Sequence, residues 1–141
     1  MKVALVHEFL NQYGGGERML EAISEIFPDA PIYTLLYNPE KMHGRFANKK
    51  IITSFLQKKL FSKNKYKWYL PWMPQAIESF DLSEYDLVIS DSSAFGKGVL
   101  TTTNTTHICY CYTPTRYLWE DTFEYLKNSK IPWPAEKESF F

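Results

Sequence analysis

Three short stretches carry the residue types that do chemistry. The first is His7 to Arg18, in which three consecutive glycines, Gly14, Gly15 and Gly16, stand just ahead of Glu17-Arg18. Glycine lets a backbone approach an anion closely, and a following helix would aim unpaired N–H groups and a partial positive charge at it. The triplet is neither G-x-G-x-x-G nor a Walker loop, since no Gly-Lys-Ser/Thr follows, and three glycines can equally make a tight turn. Pro, Asn or Asp also make turns, whereas successive glycines clear space above the backbone, which favours the phosphate reading. The second stretch is Ser90 to Lys97 and the third Tyr112 to Arg116. Ser92, Ser93, Lys97, Thr113 and Arg116 suit hydrogen bonding to phosphate or sugar hydroxyls. Glu8 is placed to orient or deprotonate a hydroxyl.

Positioning these residues requires strands that end together. Lys2 to His7 (KVALVH) reads as a short buried strand, followed by a turn from Glu8 to Tyr13. Met19, Leu20, Ile23, Ile26 and Phe27 recur at helical spacing, and Pro28-Asp29 ends that helix. Ala30 to Tyr37, Ile51-Ile52, Asp86 to Asp91 and His107 to Thr113 read as further strands, with Val99-Leu100 as a small one. Thr53 or Ser54 can cap a helix from Phe55, residues 66 to 80 continue as helix interrupted near Pro71 and Pro74, and Pro114 opens a helix to about Leu126. Strands alternating with helices predict an α/β, Rossmann-like parallel sheet with helices on both faces, and such sheets gather ligands at the carboxyl ends of their strands.

A chain of 141 residues is one domain with room for a good core. Its formal charge is zero, yet Lys41 to Lys67 holds nine Lys/Arg and no Asp or Glu, leaving minus nine on the remainder. Within it Lys58, Lys59, Lys63, Lys65 and Lys67 are interleaved with Phe55, Leu56, Leu60, Phe61, Tyr66, Trp68, Tyr69, Leu70 and Trp72. Such a stretch suits an anionic membrane surface, each cation being worth roughly 1 kcal/mol there. It also suits a helix packed by its aromatics with its lysines in water. Nucleic acid is disfavoured, because the lysines flank the aromatics rather than repeating a binding pattern with them. Cys109 and Cys111, two apart on a strand, share a face, make a poor disulfide pair and read as core fillers in a reduced cytoplasmic compartment. His7 and His107 fall at opposite ends of their strands, so no metal site is expected, and no H-x-x-x-H, C-x-x-C or G-x-S-x-G spacing occurs. No signal peptide opens the sequence, and no run of eighteen apolar residues occurs in it.

The stretches HEFLNQYGGGERMLEAISEIFPDAPIYTLLYNPEK, ITSFLQ, LPWMPQAIESFDLSEYDLVISDSSAFGKGV and HICYCYTPTRYLWE resemble, in order, the amino-terminal domain of bacterial glycosyltransferase family 4 enzymes. That resemblance implies a GT-B architecture, in which two Rossmann-like domains face each other across a cleft. It implies hexose transfer from a nucleotide-sugar donor to a glycan or lipid-linked acceptor, with retention of configuration and no cofactor or bound metal. Residues 1–141 would then be the acceptor-side domain only, a truncated piece lacking the donor-binding domain and inactive alone, since half a cleft cannot hold the donor. By the same resemblance Gly14, Gly15 and Gly16 approach the donor diphosphate, His7, Glu8 and Tyr13 belong to the acceptor side, and Arg116 pairs with phosphate or acceptor; Ser92 and Lys97 join the acceptor side on their residue type and position alone. Tyr112 stands where similar sequences carry histidine (YCHTP), beside the reacting sugar. A phenol there donates a hydrogen bond but is a poor base near neutral pH. The resemblance and the basic stretch place the protein in the cytoplasm, peripheral on the inner face of the membrane through Lys58, Lys59, Lys63, Lys65 and Trp68. A phosphate- or nucleotide-binding α/β module without enzymatic activity is the alternative.

Overall fold

A computed structural model describes residues 1–59 and 66–113, without the side chains of Lys59 and of residues 66–68. Five parallel strands form one sheet: β1 (Val3–Leu10), β2 (Ile32–Tyr37), β3 (Ile51–Thr53), β4 (Leu87–Ser92) and β5 (Thr106–Cys111), in the spatial order β3-β2-β1-β4-β5. Helix α1 (Gly15–Ile26) joins β1 to β2; α2 (Leu56–Lys59), a 3₁₀ segment (Tyr66–Trp72) and α3 (Met73–Glu78) lie between β3 and β4. The order reverses between β1 and β4, the point at which an open α/β sheet splays its loops into a crevice. This is the α/β, Rossmann-like sheet that the alternation predicts.

Both faces of the sheet are covered, which is why its central strands read as continuous apolar runs. On one face Ala4, Val6, Leu35 and Val88 pack with Leu56 of α2, with Met73, Ala76 and Ile77 of α3, and with Val99. Tyr33 stands edge-on to Phe80 and Tyr85, and its hydroxyl lies 3.1 Å from that of Tyr85. On the other face Leu5, Leu10 and Ile32 pack against Leu20 of α1 and against Met42 and Phe46, which a loop from β2 brings over the sheet. That loop turns through left-handed backbone at His43, Gly44 and Phe46. It returns Lys49 to the end of α1, where the ammonium donates to the carbonyls of Ser24 and Pro28 at 2.8 and 2.9 Å and so caps the helix.

Several boundaries differ from the sequence reading. The first strand continues through Leu10 rather than turning at Glu8, because β2 pairs with it as far as Leu10↔Tyr37. Ser54, not Thr53, supports α2: its hydroxyl accepts from the Leu56 amide at 3.2 Å and donates to the Leu35 carbonyl at 2.9 Å. Pro71 falls inside the 3₁₀ segment, and Pro74 sits in the first turn of α3, where a missing N–H costs nothing. Val99 and Leu100 form no strand; Val99 is instead buried in the core. Cys109 and Cys111 are free thiols as expected, but they are exposed rather than core fillers, because β5 is an edge strand among the described residues. The helix expected from Pro114 lies outside the described residues.

The packing predicts a sharp contrast between two aliphatic truncations. Leu35→Ala, at a fully buried site on β2, should lower unfolding free energy by about 2–5 kcal/mol in urea titrations. Ile26→Ala, at a site 71% exposed, should change it by about 0.5 kcal/mol or less.

Candidate functional site

A cleft of about 930 Å³ opens at the carboxyl ends of β1 and β4. Its wall includes His7, Tyr13, Gly14, Gly15, Gly16, Glu17, Asp91, Ser93 and Tyr112, together with Lys41 and His43 from the β2–β3 loop. The three stretches singled out in the sequence therefore meet here, through Gly14–Gly16, Ser93 and Tyr112.

The glycines are not equivalent. Gly14 is the N-cap of α1 in extended backbone, and its amide already donates to the Glu17 carboxylate at 2.7 Å. Gly16 is closed in: a methyl group on it would lie 3.4 Å from the His7 ring and 3.7 Å from the Tyr112 phenol. Gly15 alone of the three looks onto open space, with nothing within 4 Å of such a methyl. The donors that remain for an anion at this end are thus those of the first helical turn after Gly14.

Beneath the glycines lies a charged row. His7 is buried, with Nδ1 at 3.5 Å from Asp91 Oδ2 and Nε2 at 3.7 Å from Glu17 Oε1. Burial alone would lower the imidazole pKa, but the two carboxylates outweigh it and raise it to about 9, so the ring is cationic at neutral pH. Burial opposes ionisation of Glu17 too, yet His7 and the Gly14 amide hold its pKa below the usual range. The Tyr112 hydroxyl donates to the Gly16 carbonyl at 3.2 Å. Burial, and then the neighbouring Asp91 carboxylate, push the phenol pKa up, so the phenol keeps its proton at neutral pH.

Glu8 also borders the cleft, as its place after the first strand suggests, but its carboxylate is not free there. Neighbours in a strand point to opposite faces, so His7 and Glu8 diverge. The Glu8 carboxylate accepts from the hydroxyls of Ser92 and Ser93 at 2.7 and 2.9 Å, and from the amides of Ala94, Phe95 and Gly96. Burial would raise its pKa; these donors more than reverse that and lower it. A carboxylate so held is an anchor for the loop after β4, not a general base. Ser92 is spent in the same network, since its buried hydroxyl also accepts from the Lys97 amide at 3.1 Å. The Lys97 side chain is exposed and forms no part of the cleft wall.

Tyr13 does line the cleft. Its ring carries the Arg45 guanidinium 4.1 Å above its centroid, and its hydroxyl donates to Glu21, which Arg45 also binds at 3.0 Å. Arg116 lies outside the described residues, as do Lys63, Lys65 and the side chains of Lys59 and Trp68. Of the basic stretch, Lys58 is exposed, near the exposed Phe55 in sequence, and Trp72 is 55% exposed. His107, away from the cleft, lies with Nε2 at 2.8 Å from the Ser90 hydroxyl. Among the described residues no group of His, Cys, Asp and Glu is arranged to hold a metal ion, and no helix is long and apolar enough to cross a membrane. Sequence reasoning missed Asp91 and Glu17. The available signals were a carboxylate closing an apolar strand and an acid in the first turn of a helix that lacks a side-chain cap.

Comparison with protein-family models, with curated proteins and with solved structures finds no match to this chain.

Two outcomes follow. Glu8→Ala leaves three backbone amides without their acceptor and should cost about 2–4 kcal/mol in chemical denaturation. His7 has a raised folded pKa, so its stabilising contribution is complete below pH 6.5 and is lost as pH rises through about 9. His7→Gln should therefore flatten the stability profile across that window, read from urea midpoints. The lowered carboxylate pKa values of Glu8 and Glu17 act on the other side, adding stability above about pH 4.5 that disappears on acidification.

Proposed function

We propose that this chain is the acceptor-side domain of a retaining, family 4-type glycosyltransferase that moves a hexose from a nucleotide sugar to a lipid-linked glycan during surface polysaccharide synthesis. The observation that carries this reading is the position of Gly15, open to solvent on the wall of a large cleft, at the start of a 12-residue helix and beside Tyr112. Backbone N–H groups at such a helix start neutralise a diphosphate without side-chain charge. On this reading a facing donor domain holds the nucleotide, and the sugar enters between Gly16, Tyr112 and the charged row behind them. Tyr112 orients the reacting sugar through its oxygen and does not take up the proton. The protein sits on the cytoplasmic side of the membrane and touches anionic lipid through the basic aromatic stretch.

The test is a transfer assay on the protein that carries this chain, offered a panel of nucleotide sugars with lipid-linked acceptors. Hexose transfer with retained configuration is expected. Gly15→Leu projects into open space, so the unfolding midpoint should hold while turnover falls by roughly tenfold or more. No transfer from any donor, or full activity in Gly15→Leu, would overturn the reading. For the membrane part, flotation with anionic liposomes should be lost when Lys58, Lys59, Lys63 and Lys65 are all changed to Glu, and equal flotation would remove that claim.

A further inference from the structure

We propose that Lys41 and His43, on the loop between β2 and β3, form a contact for the phosphate group of a lipid-linked acceptor, on the side of the cleft away from Tyr112. The turn between β1 and α1 separates the two places. Gly16 at one end of it meets the Tyr112 phenol, and Tyr13 at the other meets the Arg45 guanidinium of the loop. Most of the charge on the cleft wall is already used: His7, Asp91 and Glu17 neutralise one another, and Glu8 is held by five donors. Lys41 and His43 are exposed on that wall, and neither side chain has a partner among the described residues. The same holds for Glu40, which precedes them in the loop.

The loop is fastened so that these two side chains stay at the cleft. Met42, between them, is fully buried, which holds its neighbours at the surface, and Phe46 is a second buried anchor. Arg45 stacks 4.1 Å over the Tyr13 ring and binds Glu21 at 3.0 Å, while Lys49 donates to the Ser24 and Pro28 carbonyls. Two of the loop's cations thus tie it to α1 and leave Lys41 and His43 for the ligand space. The backbone at His43 is left-handed, with φ 50°, a conformation that glycine adopts without cost and a residue with a Cβ does not. Turn geometry alone would call for glycine there, as at the following Gly44. An ammonium brings three N–H donors and a positive charge, and an imidazole brings at least one N–H. Their complement is a set of acceptor oxygens carrying negative charge, which a phosphate supplies and a neutral sugar does not. Glu40 opposes an anion at this place, so removing its charge should strengthen the contact.

That the phosphate belongs to an acceptor rests on the function proposed above, which gives the donor diphosphate to the start of α1; the phosphate contact itself does not. The full chain would be titrated with hexyl phosphate, hexyl β-D-glucoside, D-glucuronate and UDP. Readouts are the NMR signals of Lys41, His43 and Gly44, beside the amides of Gly15 and Gly16. Hexyl phosphate should move the loop signals, and the glucoside, with the same alkyl chain and no charge, should not. Lys41→Gln and His43→Gly, the second suited to the left-handed backbone, should each weaken hexyl phosphate by roughly threefold to tenfold, and Glu40→Gln should tighten it. Unchanged affinity in both Lys41→Gln and His43→Gly would overturn the proposal, as would D-glucuronate binding more tightly than hexyl phosphate. UDP moving the loop signals at lower concentration than hexyl phosphate would overturn it too, because the phosphate would then be the donor's. In the transfer assay both variants should raise KM for the lipid-linked acceptor and leave KM for the nucleotide sugar unchanged; an unchanged acceptor KM in an active enzyme would remove the acceptor assignment. Hexyl phosphate binding that depends on Lys41 and His43, without transfer from any nucleotide sugar, would keep the phosphate contact and remove the transferase.

Discussion

A cation buried between two carboxylates organises this domain. His7 on β1 is flanked by Asp91 on β4 and Glu17 on α1, so one imidazole connects the central strands to the helix that follows the first of them. Taking any one of these charges out of water alone would be unfavourable; together they are tolerable, because each neutralises part of the next. The arrangement fixes where α1 begins. Glu17 reaches back to the Gly14 amide as well as toward His7, so the glycine turn cannot drift without breaking the row. The shape of the cleft is thus set by charge beneath it as much as by the glycines that form its wall.

The opposite face of the same strand has its own buried charge. Glu8 gathers the loop after β4 by accepting two hydroxyls and three amides. Gly96 permits this approach: a methyl group there would fall 3.2 Å from the Ser92 Cβ and 3.6 Å from the Glu8 Cγ. The apolar clusters on the two faces are built from alternate residues of β1, Ala4 and Val6 on one side and Leu5 on the other. Polar chemistry enters only where the strand reaches the edge of those clusters.

Much of the fold was legible because buried parallel strands are short, apolar and bounded by turns. KVALVH, the APIYTLLY run, DLVISD and HICYCYT each overlap an observed strand, and the helical spacing from Met19 to Ile26 marks α1. The convergence of Gly14–Gly16, Ser93 and Tyr112 on one cleft was also readable, since parallel strands place their carboxyl ends together. The role of Glu8 was not. Its donors lie 84 to 88 residues away, and a carboxylate after a strand looks the same in sequence whether it faces ligand or a loop. Asp91 was hidden for a related reason: its meaning depends on facing His7 across the ladder, a register that periodicity does not give. The misjudged cysteines reflect the same gap, because an edge strand and a central one share a composition while differing in what covers them.

The adjacency of His7 and Glu8 has a consequence for how this chain can change over time. Exchanging one side chain at either place disturbs a single face, and the other can persist. Adding or deleting one residue upstream in β1 would instead rotate both, turning the anchor toward the crevice and the imidazole toward the loop. Natural variation in this domain should accordingly accumulate by replacement within that strand, with length changes confined to the connections beyond it.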